Sequence, residues 1–144
     1  MLMSAPLDLP DDSASRRIGT RRIMLVVWVS GYLIGFVSHV ADLVLGGHLV
    51  YDGFPASLRV FWISLTIIDP LIVILLLVRM RVGIVLAVAV ILVDIAVNWT
   101  VFLTIGGNPL FGVVNQTVFA VFIVATTRQL WTFSAGQSAD RRRV

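Results

Sequence analysis

Four long apolar stretches, separated by short polar segments, make up most of the chain. They cover approximately residues 23–46, 58–78, 82–105 and 110–131. Each stretch is long enough to cross a hydrocarbon core roughly 30 Å thick as a helix. Because the connection between the second and third stretches is very short, those two helices should form an antiparallel hairpin. We therefore predict an all-α membrane protein, built as a bundle of four transmembrane helices.

Composition narrows the class of protein further. The chain has 144 residues, of which 58% are hydrophobic and 13% are charged. Soluble domains average about 45–50% apolar and about 25% charged residues. A water-soluble domain is therefore excluded, and we expect a multi-pass protein of the cell membrane, meaning the plasma or inner membrane. The absence of cysteine excludes disulfides and thiol chemistry.

Arginines flank the apolar stretches and predict the orientation of the chain. They cluster in the polar leader (residues 1–20), between the second and third stretches, and in the polar tail (residues 132–144), whereas only Arg59 lies near the opposite side. By the positive-inside rule, the leader and the tail should both be cytoplasmic. We expect the leader to be disordered, residues 21–131 to form the transmembrane domain, and anionic lipid headgroups to be the partner of the arginines. This distribution argues against binding of nucleic acid.

Two carboxylates interrupt the apolar stretches near mid-membrane. Asp69, followed by Pro70, lies in the second stretch, and Asp94 lies in the third with Asn98 one helical turn further on. An acid at the centre of a membrane costs about 2.5–3.5 kcal/mol on insertion scales, and such residues commonly face a cavity and serve a function. No arginine lies at a matching depth, so ion pairs cannot neutralise both carboxylates. The sequence therefore predicts that they form the centre of a ligand-binding or proton-binding site.

Polar side chains of the other stretches are expected at a similar depth. At about 1.5 Å per residue, His39 and Asp42 lie in the outer third of the first stretch, and Asn115 lies in the outer third of the fourth. Together with Asn98 they predict a polar funnel from the external face to the two aspartates. The apolar walls of this pocket are expected to be formed by Trp62, Trp99, Phe119 and Phe122.

A second interpretation of these polar residues stays open. Asparagines in helix bundles often only join neighbouring helices through hydrogen bonds, which contribute about 0.6 kcal/mol each on average. Asn98 and Asn115 fit that role as well. His39 and Asp42 equally fit an ion pair near the outer headgroups.

Small residues indicate close contacts between helices. Gly31 and Gly35 form a GxxxG pattern, and Gly83 and Ala87 form a second pair at the same spacing. Such pairs let two backbones approach because no large side chain intervenes. Packing within one chain and a homodimer through the first helix are both consistent with the first pair.

The sequence lacks the motifs of the common enzyme classes. It contains no P-loop, dinucleotide fingerprint, HExxH motif or nucleophile elbow. We therefore expect no metal site and no cofactor, and consider a non-catalytic protein the better interpretation. Three functions stay open: binding of a lipophilic or weakly basic ligand in the outer-half pocket, proton-coupled transport by an oligomer, and a role as an accessory or assembly subunit with a membrane partner protein.

Overall fold

The protein folds as four helices. In the computed structural model, residues 12–106 and 110–140 are described, and all of the regular structure within them is helical. The long helices are α1 (Asp12–Gly46), α2 (Ala56–Val78), α3 (Met80–Thr104) and α4 (Asn115–Asp140). A short 3₁₀ helix (Gly47–Leu49) follows α1, and a π-helical turn (Leu110–Val114) precedes α4.

Three of these helices are suited to cross a membrane. By length and composition, membrane spans are found at Ser15–Gly46, Ala56–Val78 and Met80–Thr104 within the described residues. The prediction of an all-helical membrane protein is confirmed at this level. The fourth helix falls outside this set, because the π-helical turn takes up the first part of its apolar stretch and α4 itself begins with the polar residues Asn115 and Gln116.

The helical hairpin predicted from the short connection is present. Only Arg79 separates α2 from α3, and the two helices approach closely just after this turn. A Cβ atom built on Gly83 would lie 2.5 Å from the backbone nitrogen of Leu76 and 2.7 Å from the carbonyl carbon of Leu75. Only glycine permits this contact between the two backbones. We call this side of the bundle the hairpin end, and the side formed by residues 47–55 and Gly106 the loop end.

The packed core lies towards the hairpin end. Its side chains come from all four helices and include Trp28, Ile72, Leu76, Ile84, Ala87, Ile123 and Leu130, each of which is at most 1% exposed. A buried hydrogen bond from Trp28 Nε1 to Thr126 Oγ1, 2.9 Å long, joins α1 to α4 within this region. Towards the loop end the packing between α1 and α4 is looser and a cavity takes its place.

Both termini of the helical domain extend further than the apolar pattern indicates. Helix α1 begins at Asp12, inside the segment expected to be a disordered leader, in a region with several arginines, which are good helix formers. Helix α4 continues to Asp140, because Leu130 and Ser134 of its last turns are buried against the bundle. Residues 1–11 of the leader and residues 141–144 of the tail lie outside the described residues.

Both glycines of the GxxxG pattern serve contacts within the chain. The ring of Phe119 on α4 lies directly against Gly31, in the space that a Cβ atom would need. Gly35 makes room for Asp69 on α2, whose Oδ2 atom would lie 2.7 Å from a Cβ built on this glycine. The same helix face therefore receives one side chain from α4 and one from α2.

The backbone contact at Gly83 leads to a stability prediction. In Gly83→Ala the new methyl group meets backbone atoms that cannot rotate away, so we expect a loss of about 1–3 kcal/mol, as for other overpacked cores. The matched control is Gly19→Ala, where nothing lies within 4 Å of the new Cβ and helix propensity favours alanine by up to about 1 kcal/mol. Thermal unfolding of both variants in one detergent measures the difference; a Gly83→Ala protein as stable as Gly19→Ala would contradict this packing.

Candidate functional site

A cavity of about 710 Å³ lies between the four helices. Its deep wall is formed by Leu65 and Asp69 of α2 and by Ile91 and Asp94 of α3, all four of which are buried. Helices α1 and α4 form the two sides. The two aspartates that interrupt the apolar stretches therefore face one shared space.

Asp69 reaches the cavity from the middle of α2. Helix α2 continues through Pro70 without interruption. The residue Asp69 is buried, with only 4% of its surface exposed. The Oδ2 atom lies against the backbone of α1 at Gly35, where a larger residue would occupy its position. The absence of a side chain on α1 thus allows a charged group of α2 to lie between the helices.

Asp94 is the first member of a hydrogen-bonded chain that joins α3 to α4. The Asn98 Nδ2 group donates to Asp94 Oδ1 over 2.9 Å and to Gln116 Oε1 over 2.6 Å. It also lies 3.0 Å from the backbone carbonyl oxygen of Asp94. Because buried polar groups are costly when they lack partners, this chain fixes the Asp94 carboxylate in one orientation. Asn98 therefore acts on the cavity through Asp94 and Gln116, and does not line it.

His39 adds an unsatisfied group to the cavity wall. Its ring lies on α1 towards the loop end, and its Nδ1 atom is buried without a hydrogen-bond partner among the described residues. Nearly all buried polar atoms in folded proteins have a partner, so such an atom calls for an explanation. Here that atom belongs to a ring on the cavity wall.

The chemical character of the cavity changes along its length. Towards the hairpin end it is lined by Val26, Val27 and Phe122, and towards the loop end by Ser38, His39, Asn115 and Gln116. The carboxylates lie between these two regions. No arginine is among the described residues that line the cavity.

The rings of one tyrosine and one phenylalanine form the boundary between the cavity and the core. Tyr32 donates a hydrogen bond of 2.6 Å to the backbone carbonyl of Ala87, joining α1 to α3. Its ring meets Phe119 edge to face with centroids 5.5 Å apart. Phe119 and Phe122 line the cavity as expected aromatic walls, whereas Tyr32 was not among the predicted site residues.

Three of the predicted site residues lie elsewhere. Asp42 is exposed at the loop end, where it accepts a 2.9 Å hydrogen bond from the Tyr51 hydroxyl. Trp62 packs against the rings of Tyr51 and Phe54, with centroids 5.1 Å and 4.9 Å away. Trp99 is largely exposed and donates from Nε1 to Thr117 Oγ1 over 3.1 Å. None of the three lines the cavity.

The contact between Tyr51 and Asp42 shows what these residues do instead. Burial, together with the hydrogen bond to the Asp42 carboxylate, raises the pKa of the Tyr51 hydroxyl above its usual range. The tyrosine thus stays neutral and serves as a donor. Asp42, Tyr51 and Trp62 stabilise the connection between α1 and α2 at the loop end.

Gln116 and Tyr32 also line the cavity, although neither is among the candidate site residues named from the sequence. Gln116 lies next to Asn115 at the depth of the expected funnel, but helical geometry places the two side chains about 100° apart. Tyr32 lies inside the GxxxG pattern, which draws attention to the two glycines. The feature of the sequence that points to Tyr32 is its hydroxyl group, because a polar group within a membrane-spanning helix needs a hydrogen-bond partner.

The described residues contain no group of three or more His, Cys, Asp or Glu side chains that could hold a metal ion. The cavity contributes two carboxylates, one imidazole and two amides on an apolar surface. These groups can bind a cation, accept and return a proton, and form hydrogen bonds.

Comparisons of the chain with protein-family models, with curated proteins and with solved structures found no match. What the site can do is therefore inferred from its own side chains.

Proposed function

We propose that the protein binds a lipophilic, weakly basic ligand in the cavity between its four helices. The observation that carries this proposal is the meeting of Asp69 and Asp94 in one apolar cavity that no arginine lines. A buried charge is stable only when it is paired or neutralised. An amine that binds as a cation would supply the missing partner, and the site would thereby select cationic ligands over neutral ones of the same shape.

The size and shape of the cavity support a small organic molecule. Ligand sites in proteins commonly have volumes of about 300–1,000 Å³ and combine apolar walls with a few polar groups; the 710 Å³ cavity falls inside that range. An amine at the aspartates would place one part of the ligand against Val26 and Phe122. A hydroxyl or carbonyl group on the other part would reach His39 and Asn115.

We further propose that the chain crosses the membrane four times, with both termini in the cytoplasm. Two contacts between arginines and aromatic rings support this orientation: Arg21 of α1 lies 5.9 Å from the centroid of Phe133, and Arg81 of α3 lies 5.5 Å from that of Trp131. Arginines near the start of α1 and just after the hairpin connection thus meet the end of α4. At the loop end, Arg59 forms an ion pair of 2.7 Å with Asp52.

Cysteine labelling tests the four-pass arrangement, since the chain has no native cysteine. We expect a membrane-impermeant maleimide to label Ser57→Cys on intact cells, and to label Ser15→Cys and Thr132→Cys only after lysis. All three positions are exposed and lie outside the apolar stretches, so access depends on the side of the membrane. Labelling of Ser15→Cys and Thr132→Cys from opposite sides would contradict a four-pass chain.

Ligand binding is tested by native mass spectrometry of the protein released gently from detergent. We expect the wild type to carry a discrete small mass that is absent from Asp94→Asn, because the substitution removes the carboxylate charge while keeping the side chain nearly isosteric. Insertion into the membrane should be unchanged. The matched control is Asp52→Asn, which removes an exposed carboxylate outside the cavity and should retain the bound mass.

Two other outcomes of this measurement would favour a different function for the protein. A bare protein in both samples would contradict ligand binding and favour transport of a transient substrate. A stoichiometric second membrane protein released with the chain would instead favour a role as an accessory subunit.

A further inference from the structure

We propose that the ligand enters the cavity sideways from the lipid bilayer, through an opening between α1 and α4. This inference rests on the proposed binding function and narrows the ligand class to amines that dissolve in the membrane. The polar positions along the sequence favour access from the aqueous face, whereas the exposure of the lining residues favours access from the lipid phase.

The first observation is the exposure of the cavity's rim. Four apolar lining residues are exposed at the outside of the bundle: Val26, Val27 and Ile34 of α1, at 62%, 38% and 71%, and Val118 of α4, at 66%. The opposite wall, which carries Asp69 and Asp94, is buried. The cavity therefore opens outwards between α1 and α4, while α2 and α3 close its back.

The second observation is the depth of this opening. The apolar stretch of α1 covers residues 23–46. At about 1.5 Å per residue, Ile34 lies roughly 17 Å from the beginning and roughly 18 Å from the end of that stretch, whereas Val26 lies roughly 5 Å from its beginning. The rim therefore extends from near one end of the apolar stretch to its middle, where it faces acyl chains. Its apolar side chains suit that surrounding, since valine and isoleucine are favourable at the centre of a membrane.

The third observation is that the hairpin end of the cavity is sealed. Tyr32 is fixed by its hydrogen bond to Ala87, and the fully buried side chains of Trp28, Ile72 and Ile123 fill the space beyond it. A ligand has no path through this packed region. Of the two remaining routes, the lateral one is lined by apolar side chains over most of its length.

These observations specify the ligand. It carries one amine that binds between Asp69 and Asp94 and an apolar body that crosses the Val26–Ile34 rim. An amine crosses acyl chains most readily in its neutral form. A protonated carboxyl group of the cavity then transfers its proton to the amine nitrogen, and an ion pair of ammonium and carboxylate results; no other reactant is needed.

The test measures both the rate and the strength of binding of one probe, radiolabelled N,N-dimethyldodecylamine, to the protein in phosphatidylcholine nanodiscs. Val118→Trp places a bulky ring on the rim, and the matched control Val121→Trp places the same ring on an equally exposed site of α4 that does not line the cavity. A blocked entrance slows entry and exit alike. We therefore expect Val118→Trp to slow both association and release by about tenfold or more relative to Val121→Trp.

Each other result is informative. Equal exchange rates in Val118→Trp and Val121→Trp would overturn lateral entry while leaving ligand binding intact. Weaker binding with unchanged release would place the entrance elsewhere and overturn it as well. Failure of the wild type to retain the amine would overturn the proposed function itself. Ile34→Trp, with Val37→Trp as its exposed control on α1, repeats the test on the other side of the opening if Val118→Trp does not fold.

Discussion

The structure depends on two carboxyl groups that lie between membrane-spanning helices, in a cavity whose described lining contains no arginine. Asp69 and Asp94 come from the two helices of one hairpin and open into the same space. A charge in a medium of low dielectric constant interacts strongly with any partner of opposite sign. An apolar cavity that contains two acids is therefore suited to hold a cation, a proton, or both in turn. The rest of the bundle positions these two groups.

Glycines make this arrangement sterically feasible. Gly83 brings the backbones of α2 and α3 together near the hairpin connection, so that Asp69 and Asp94 extend from a tightly joined pair of helices. Gly35 leaves room on α1 for the Asp69 carboxylate, and Gly31 leaves room for the Phe119 ring of α4. Because each glycine of the GxxxG pattern accommodates a side chain from a different helix, that face of α1 is already occupied within the chain.

Hydrogen bonds between side chains are distributed unevenly around the cavity. Asp94 is held by Asn98, which also bonds to Gln116, so this carboxylate is connected to both α3 and α4. On α1, the buried Nδ1 atom of His39 has no hydrogen-bond partner among the described residues. The α3–α4 side of the cavity is thus held by hydrogen bonds between side chains, whereas the α1 side keeps one unpaired polar atom.

Sequence patterns predict the helices far better than they predict which side chains meet. The four apolar stretches and the hairpin connection are readable because a membrane requires long apolar helices with satisfied backbones. The aspartates stand out for the same reason, since an acid in such a helix is costly. Trp62 and Trp99, however, share their depth with the polar residues and still point away from the cavity. Helix rotation depends on contacts such as Gly31 with Phe119, which involve residues far apart in sequence.

The boundaries of the elements show the same limit. Apolar content marks the part of α1 inside a membrane, yet the helix begins at Asp12 because backbone hydrogen bonding does not stop at the membrane surface. Conversely, the fourth apolar stretch is divided between a π-helical turn and α4. The Asn115 and Gln116 side chains lie where this division falls. Hydropathy does not detect such a turn, because it depends only on the residue types in a segment, and the same apolar residues can form either a π-helix or an α-helix.

The central claim is that the paired carboxylates make the cavity selective for a cation. The most direct measurement compares the affinity of the protein in nanodiscs for N,N-dimethyldodecylamine with its affinity for 2-methyltetradecane, a neutral molecule of the same shape. The account predicts that the wild type binds the amine at least about tenfold more tightly, a difference of about 1.4 kcal/mol, and that the Asp69→Asn/Asp94→Asn double variant loses this preference. Equal affinities of the wild type for the two molecules would contradict it.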